Sequence, residues 1–251
     1  MKGLLELEGV SVGYTANNLA LCNINLTVKE GELFVLAGPN GSGKTTLLKT
    51  AGGLLKAARG QVRINGKEIS RLKPRQRASL TAFLFQLRDN PWSFTVRETV
   101  TQGCFARRGW FGTETRADRE AVNSALEKAE LRFLADRRIN ELSGGELQRV
   151  YIARCITQGA AFLLLDEPDN NLDPKYAYLI LTLLSELVQE GRGVIVSLHD
   201  LRLASRFAHR IALLSQTGSI SAIGTAIEVL TEENLGRVYD LNPELVRDLI
   251  L

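Results

Sequence analysis

The sequence predicts an α/β fold in which apolar strands alternate with helices. Residues 161–165 and 193–198 are largely apolar runs, typical of parallel strands that are buried on both faces. Between these two runs, residues 176–190 have the periodicity of a helix, and Gly191 is placed to end it. This order of strand, helix and strand indicates a parallel sheet covered by helices.

The N-terminal part of the chain contains several predicted strands. Residues 6–12 and 24–28 alternate between apolar and polar side chains, which predicts two short strands. Residues 32–37 form a mostly apolar strand that runs into a glycine-rich loop, and a helix is expected over residues 45–50. Residues 61–66 are predicted to form a further strand with its turn.

The middle of the chain combines one short strand with two helices. Residues 82–85 are the predicted strand. An amphipathic helix is expected over residues 113–136, with Thr115 and Asp118 as a capping pair at its start. A second helix is expected over residues 143–157.

The composition is that of an ordinary globular protein. The chain has 251 residues, of which 45% are hydrophobic and 24% are charged, and this excludes disordered, collagen-like and disulfide-scaffold classes. The three cysteines are widely spaced and form no Cys-x-x-Cys pair, which disfavours a zinc site and favours a reducing compartment. Acidic residues interrupt any signal peptide, and the longest apolar run, residues 160–165, is far below the ~18 residues of a membrane helix. We therefore expect a soluble protein that reaches a membrane only through a partner.

Positive charge is concentrated in one stretch. Residues 56–77 contain eight Lys and Arg residues and one acid, a local charge of +7, whereas the whole chain carries only +3. Such a stretch could contact anionic lipid headgroups or nucleic acid, although a solvated face is the commoner explanation. It contains no aromatic residue, so stacking on bases has no support and no nucleic-acid partner is expected.

The first chemical motif is a glycine-rich loop that fits the pattern GxxxxGK[ST]. Glycines let successive backbone N–H groups point at phosphate oxygens, and the following helix adds its positive N-terminal dipole. Lys44 would reach the β- and γ-phosphates, and the Thr45 hydroxyl would ligate Mg²⁺. The predicted ATP-binding residues of this loop are Gly38, Pro39, Asn40, Gly41, Ser42, Gly43, Lys44, Thr45 and Thr46.

The second motif places two carboxylates at the end of an apolar strand, over residues 162–167. Ligands of α/β proteins bind at the carboxyl ends of the strands. Asp166 is expected to hold Mg²⁺, directly or through water, and Glu167 to act as general base on the attacking water. An acidic pair that merely opens a polar loop is the alternative.

The third motif is Leu142-Ser143-Gly144-Gly145-Glu146. Ser143 and Glu146 have capping-box spacing, and the two glycines leave the helix N-terminus bare, which suits an anion. An ordinary helix cap is the alternative, but the pattern is more specific than such a cap requires.

Together these motifs resemble the ATP-binding subunit of an ABC transporter, over essentially the whole chain. Residues 142–146 match the signature motif of that family. The remaining marks follow in the order of the family: Tyr14 at the adenine-stacking position, Gln86 at the Q-loop, Asp173 in the D-loop and His199 at the switch position. Alone, each of these four could be an ordinary solvated or core residue.

The resemblance implies roles for these residues. Tyr14 and Asp173 would contribute to the ATP site, and Gln86 would assist both Mg²⁺ binding and catalysis. His199 would contact the γ-phosphate during catalysis. Ser143, Gly144 and Gly145 would face the ATP held by a second copy of the chain in a head-to-tail dimer.

The resemblance also implies an architecture and a set of partners. We expect one ABC ATPase domain, residues 1–251, with a phosphate-loop NTPase core, an N-terminal antiparallel β subdomain and an inserted helical subdomain. Residues 1–87 and 158–251 would form the core with the β subdomain, and residues 88–157 the helical subdomain with the signature motif. The partners would be integral-membrane permease subunits and an extracytoplasmic substrate-binding protein, which places the chain on the cytoplasmic face of the cell membrane.

Several stretches narrow the type of transporter. Residues 94–100, 109–112, 199–211 and 228–235 resemble the subunits that drive uptake of iron–siderophore, haem and cobalamin. The aromatic and basic segment 105–111 is expected to dock a permease helix or to fill the helical subdomain. An exporter, or an importer of another solute, is the alternative, since the cassette does not encode direction.

A soluble, non-transport ABC protein is disfavoured. Such a protein would carry a long coiled coil between the phosphate loop and the signature motif, whereas only 99 positions separate Lys44 from Ser143 here.

Three details depart from the pattern of the importer group: Phe85, the pair Asn170-Asn171 and the pair Lys175-Tyr176.

Overall fold

The structure is a computed structural model that describes residues 3–15, 18–85, 93–108 and 112–242. Two β-sheets and their helices build the fold. The strands are β1 (Leu4–Thr15), β2 (Asn18–Lys29), β3 (Leu33–Ala37), β4 (Arg59–Ile64), β5 (Lys67–Glu68), β6 (Thr81–Leu84), β7 (Phe162–Asp166), β8 (Gly193–Ser197), β9 (Arg210–Leu214) and β10 (Ile220–Gly224).

The first sheet is antiparallel and has the order β2-β1-β4-β5. The prediction of two short strands near the N-terminus was wrong, because β1 and β2 each span 12 residues. Their register shifts between Leu7 and Val10, around Gly9 with its φ of +59°. This irregularity breaks the alternation of side chains while the pairing of the strands continues.

The second sheet has the order β10-β9-β3-β8-β7-β6. Strands β9, β3, β8, β7 and β6 run parallel, and only β10 at the edge is antiparallel. The predicted strands at residues 32–37, 82–85, 161–165 and 193–198 all lie in this sheet, within about one residue of their expected bounds. The α/β class predicted from the sequence is confirmed.

The parallel sheet is buried on both faces. Alternate residues of β3 point in opposite directions, so Leu33 and Val35 pack into a core formed with helices, while Phe34 and Leu36 pack into a core shared with the antiparallel sheet. Every residue of β3, β7 and β8 is buried, which explains their nearly continuous apolar sequence.

The helices cover the sheet and form a layer of their own. They are α1 (Lys44–Ala51), α2 (Pro74–Leu80), α3 (Val96–Thr101), α4 (Phe105–Arg108), α5 (Arg116–Lys128), α6 (Gly144–Gln158), α7 (Pro174–Gln189), α8 (Leu201–Phe207), α9 (Ala226–Val229) and α10 (Glu232–Tyr239). In the described parts of the chain, no helix is both long and apolar enough to cross a membrane.

One helix is shorter than its pattern predicted. The helix expected over residues 113–136 is α5, which ends at Lys128, and Glu130 then adopts a left-handed φ of +55°. Beyond it, residues Arg132–Leu134 form a separate 3-10 turn; Leu131 before this turn is fully buried, whereas Phe133 within it is fully exposed. The predicted cap is confirmed, because Thr115 and Asp118 form a reciprocal capping box.

Helices α3, α5 and α6 pack against one another as a group. This group lies within the stretch that the sequence assigned to a helical subdomain, and the boundary at residues 88 and 157 stays a prediction. Its core is continuous with the core on the helix-covered face of the parallel sheet.

Candidate functional site

The glycine-rich loop, the acidic pair and the predicted switch histidine meet at the carboxyl edge of the parallel sheet. The loop 38–43 follows β3, the pair Asp166-Glu167 ends β7, and His199 follows β8. These strands are neighbours in the order β3-β8-β7. The topology therefore brings together groups that are more than 120 positions apart in the sequence.

The loop 38–43 has the backbone of an anion cradle. Gly43 has a φ of +97°, and a Cβ on Gly38 would lie 2.5 Å from the carbonyl oxygen of Leu214. These two positions therefore require glycine. Helix α1 begins directly after the loop, and the buried Oγ of Ser42 has no hydrogen-bond partner among the described residues. An unpaired buried hydroxyl beside a helix N-terminus fits a phosphate oxygen.

Lys44 is the cation of the loop, and only 4% of it is exposed. Its Nζ donates to the carbonyl oxygens of Gly38, at 2.8 Å, and Pro39, at 3.1 Å. Burial lowers the pKa of Lys44, while the carboxylates of Glu167 and Asp166 oppose that effect. The ammonium group of Lys44 is therefore buried in the site, where the carboxylates of Asp166 and Glu167 act on it.

Asp166 is held by two hydroxyl groups. Thr45 Oγ1 donates to Asp166 Oδ2 at 2.7 Å, and Ser197 Oγ donates to Asp166 Oδ1 at 2.8 Å. The predicted Mg²⁺ ligands Thr45 and Asp166 are therefore adjacent. Hard oxygen donors of this kind suit Mg²⁺, which typically takes one or two protein oxygens and completes its shell with phosphate and water.

Glu167 and His199 are also in contact. Glu167 Oε1 lies 2.7 Å from His199 Nε2, and Glu167 Oε2 accepts a hydrogen bond from Asn170 Nδ2 at 3.2 Å. The backbone of Glu167 has a φ of +48°, and its N–H donates to Ser197 Oγ at 2.9 Å. These three neighbours hold Glu167 in place, and its charge acts on the buried Lys44 of the loop. A carboxylate held beside the loop in this way can serve as a base for water.

The signature segment lies apart from this cluster. Ser143 caps α6, and its N–H and Oγ both donate to Glu146 Oε2, at 2.8 and 2.7 Å. These bonds lower the pKa of Glu146. A Cβ on Gly145 would lie 2.8 Å from the ring of Tyr176, and the nearest neighbour of one on Gly144 would be Leu172, at 3.8 Å. The segment therefore packs against the start of α7 and makes its hydrogen bonds within its own helix.

The remaining predicted site residues fall into two groups. Asp173 is exposed and caps α7, accepting a hydrogen bond from the N–H of Lys175 at 2.9 Å. Tyr14 lies in β1, but its side chain is outside the described part of the structure, as is the whole of Gln86. The roles predicted for Tyr14, Gln86 and Asp173 stay predictions.

The sequence reasoning missed three neighbours of the carboxylate pair. Ser197 bridges Asp166 and Glu167, Asn170 contacts Glu167, and Asp169 holds a buried Oδ1 with no hydrogen-bond partner among the described residues. Burial raises the pKa of Asp169, and its own backbone amide and His199 act in the opposite direction. A polar residue at the end of the apolar strand β8 was the available signal for Ser197.

Comparison with known proteins shows the family of this chain. Residues 21–170 match the family described as ABC transporter, which is more than half of the chain. The chain belongs to the ABC transporter family. It is an ATP-binding, ATP-hydrolysing subunit of that family, and the resemblance predicted from the motifs is confirmed.

This ABC subunit has close relatives in sequence. It is 37% identical over 245 residues to the iron(3+)-hydroxamate import ATP-binding protein FhuC of Bacillus subtilis, with 97% of this chain and 90% of FhuC aligned. It is 39% identical over 248 residues to the hemin import ATP-binding protein HmuV of Rhizobium leguminosarum, with 95% of this chain and 91% of HmuV aligned.

Solved structures show the same fold. A metal-chelate type ABC transporter in an inward-facing conformation has a TM-score of 0.84 at 27% identity, covering 96% of this chain and 90% of that one. The dimeric cassette MJ0796 bound to ADP and phosphate has a TM-score of 0.77 at 32% identity, covering 88% of this ABC subunit and 98% of MJ0796.

Proposed function

We propose that this ABC subunit hydrolyses Mg·ATP at the loop 38–46 and thereby drives import of a metal chelate through a membrane permease. The observation that carries the catalytic part is the joint placement of Thr45, Asp166, Glu167 and His199 at one sheet edge. In this arrangement Thr45 and Asp166 suit a bound cation, and Glu167 and His199 are placed to accept a proton from a water molecule.

The residues present fit Mg²⁺. Thr45 and Asp166 offer a hydroxyl and a carboxylate whose oxygens lie 2.7 Å apart, and Gln86 is the third proposed ligand. Bound Mg²⁺ would neutralise charge on the β- and γ-phosphates. Lys44, which already lies against the loop, would exchange its bonds with loop carbonyls for bonds with those phosphates.

Proton transfer is the role proposed for Glu167. Its Oε1 would accept a proton from a water molecule as that water attacks the γ-phosphate. His199 Nε2, in contact with the same oxygen, would orient the carboxylate and approach the γ-phosphate. Gln86 is proposed to help order the water.

A second copy of the chain would complete the site. Ser143, Gly144 and Gly145 make no hydrogen bond to the cluster at the sheet edge in their own chain, since the bonds of Ser143 go to Glu146. In a head-to-tail dimer these residues, with Asp173, would reach the ATP held by the partner's loop 38–46. Tyr14 is proposed to stack on the adenine.

The permease is proposed to dock in a cleft of about 500 Å³ between the parallel sheet and the helical group. The cleft is lined by aromatic and basic side chains, which often anchor interfaces; they include Phe83, Phe85, Phe105 and Arg154. Phe105 is the described end of the aromatic segment 105–111 that the sequence suggested for docking. Residues 109–111 lie outside the described part.

Docking in this cleft would hold the ABC subunit on the cytoplasmic face of the membrane. The test is co-purification with the permease. Phe105→Ala should weaken assembly while leaving ATP affinity unchanged. The matched control is Ile227→Ala, which removes an apolar side chain that is 90% exposed on α9, away from the cleft. Equal assembly of both variants would contradict this docking site.

The proposed substrate is an iron–siderophore, haem or cobalamin-type chelate, delivered by an extracytoplasmic binding protein. The proposal is supported by the similarity to FhuC and HmuV. A free metal ion is the second candidate, because the manganese transport ATP-binding protein MntA of Synechocystis is 37% identical over 243 residues. In proteoliposomes with permease and binding protein, ATPase activity should rise with ferric hydroxamate, haemin or cobalamin. Stimulation by Mn²⁺ alone would favour the second candidate.

A further inference from the structure

The basic stretch 56–77 has no part in ATP binding or hydrolysis. We propose that its exposed side chains form a membrane-contact surface that binds anionic lipid headgroups beside the docked permease. The proposal rests on the proposed function for the position of the subunit, but its chemistry can be tested without a permease. We call this surface the basic edge and define it as Lys56, Arg71, Lys73, Arg75 and Arg77.

Two residues of the basic edge that are distant in sequence lie close together in the fold. Lys56 and Arg77 line one cavity of about 470 Å³ beside the antiparallel sheet, together with residues of the turn that carries Arg71. Pro74 and Arg77 line the neighbouring cleft that is proposed for the permease, and Leu54 and Arg77 border both. Lys56 and Arg77 therefore lie at the same cavity although they are far apart in sequence, and Arg77 also reaches the rim of that cleft.

Four of these side chains face solvent, whereas Arg77 is half-buried and donates to the carbonyl oxygen of Gly53 at 3.2 Å. Lys56, Arg71, Lys73 and Arg75 are exposed, and the Arg71 side chain is 81% exposed although it pairs with Glu68 at 2.6 Å. Glu68 is the single acid of the stretch. Neither Lys56 nor Lys73 has an ion pair among the described residues. With Glu68 as its single acid, the stretch 56–77 carries a charge of +7.

Only part of this charge stabilises the helix that carries it. Helix α2 carries Arg75 in its first turn, which has no acid and where negative charge would stabilise the helix, whereas Arg77 lies in the last turn, where positive charge is favourable. The charge is also local, because the chain outside residues 56–77 is net negative, at −4. An external anion would explain cations concentrated in one stretch of a chain that is otherwise net negative.

A lipid surface fits better than a nucleic acid. The basic edge offers no aromatic side chain for stacking, and it borders the cleft that would turn towards the membrane. The cytoplasmic leaflet is rich in anionic lipid, and each Lys or Arg near its surface strengthens binding roughly fivefold. Several such charges would keep the subunit bound to the lipid headgroups while the transporter changes conformation.

The experiment compares the full chain with two double variants of equal charge change. Lys73→Glu/Arg75→Glu reverses two charges of the basic edge. Arg116→Glu/Arg119→Glu reverses two exposed arginines on α5 and serves as the control. Binding is measured by co-sedimentation with phosphatidylcholine vesicles that contain or lack about one-third phosphatidylglycerol.

The wild-type chain and the α5 variant should bind the anionic vesicles, fail to bind the neutral ones and dissociate as salt is raised. The Lys73→Glu/Arg75→Glu variant should bind more than tenfold more weakly. Equal binding by the two variants, binding to neutral vesicles, or tighter binding of the wild type to duplex DNA at matched phosphate would overturn the proposal. ATPase activity of the same samples should be unchanged, and its absence in the wild type would count against the proposed function instead.

Discussion

Oε1 of Glu167 lies 2.7 Å from Nε2 of His199, 32 positions further along the chain. The contact joins the end of β7 to the turn after β8, so two neighbouring parallel strands fix the geometry of the acid and the imidazole together. A base held in this way needs little rearrangement to receive a proton, and the pair is therefore the natural target for the first prediction.

Replacing His199 with alanine should depress turnover while leaving ATP affinity within about twofold. Loss of one preorganised polar contact to the reacting groups typically costs about 10²–10³ in kcat. His209→Ala is the matched control, because the chain has only these two histidines and His209 instead accepts a bond from the Leu33 N–H at 3.2 Å. Steady-state ATPase assays distinguish the two variants, and equal turnover would contradict the role of His199.

Lys44→Ala should abolish stabilisation by ATP. A ligand at one hundred times its Kd stabilises the folded state by about 2.7 kcal/mol, which corresponds to a rise of about 5–10 °C in Tm for a domain of this size. Thermal melts with and without Mg·ATP measure this rise directly. Lys49→Ala is the control, because Lys49 lies in the same helix but over the ring of Phe85, 5.6 Å from its centroid. An undiminished ATP shift in the Lys44 variant would rule out the loop assignment.

Ser197→Ala should weaken both stability and catalysis. The change leaves Asp166 Oδ1 and the Glu167 N–H without their partner, and an unsatisfied buried group costs about 1–3 kcal/mol of unfolding free energy. We also expect a higher Mg²⁺ concentration at half-maximal ATPase activity, because Asp166 loses an orienting bond. Ser185→Ala, which removes a hydroxyl bonded to the Leu181 carbonyl on α7, should change neither activity nor Mg²⁺ dependence. If the Mg²⁺ concentration at half-maximal activity were unchanged in the Ser197 variant, Ser197 would not orient Asp166 for Mg²⁺ binding.

Asp169→Asn should stabilise the protein at neutral and alkaline pH. Burial raises the pKa of this carboxyl above its ordinary 3.8, so its ionised form is penalised in the folded state. That penalty is complete above the folded-state pKa and disappears as the pH falls below 3.8, where the carboxyl is protonated in both states. Unfolding free energies of the two proteins should therefore differ most at high pH and converge at low pH. A variant less stable than the wild type at neutral pH would contradict this account of Asp169.

Much of this fold could be predicted from the spacing of the motifs and the hydrophobicity of the strands. The buried strands β3, β7 and β8 are apolar because both of their faces are covered, and the loop after β3 shows its chemistry in its glycines and lysine. The end of α5 and the irregularity within β1 were not predictable in the same way. At Glu130 and Gly9 a left-handed backbone redirects the chain, and tertiary contacts rather than periodicity set the path of the next residues.

The site residues that could be predicted are those that belong to a recognisable sequence motif. Thr45 and Asp166 follow from their patterns, and the structure places them in contact. The role of Ser197 was missed because it arises only when strands distant in sequence become neighbours, whereas Asn170 and Asp169 follow Glu167 closely in sequence but belong to no motif that marks a contact with it. No local pattern states that Ser197 will bridge the two acids.

The most direct test of the catalytic assignment is Glu167→Gln, measured for ATP binding, hydrolysis and dimer formation in the same preparation. The amide keeps the shape of the side chain but cannot accept the proton, and removal of a general base typically costs about 10²–10⁴-fold in rate. We expect unchanged ATP affinity, because Lys44, Thr45 and Asp166 remain, together with almost no turnover and an ATP-dependent dimer in light scattering. Near-normal turnover of the Glu167→Gln protein would contradict the account and place the base elsewhere.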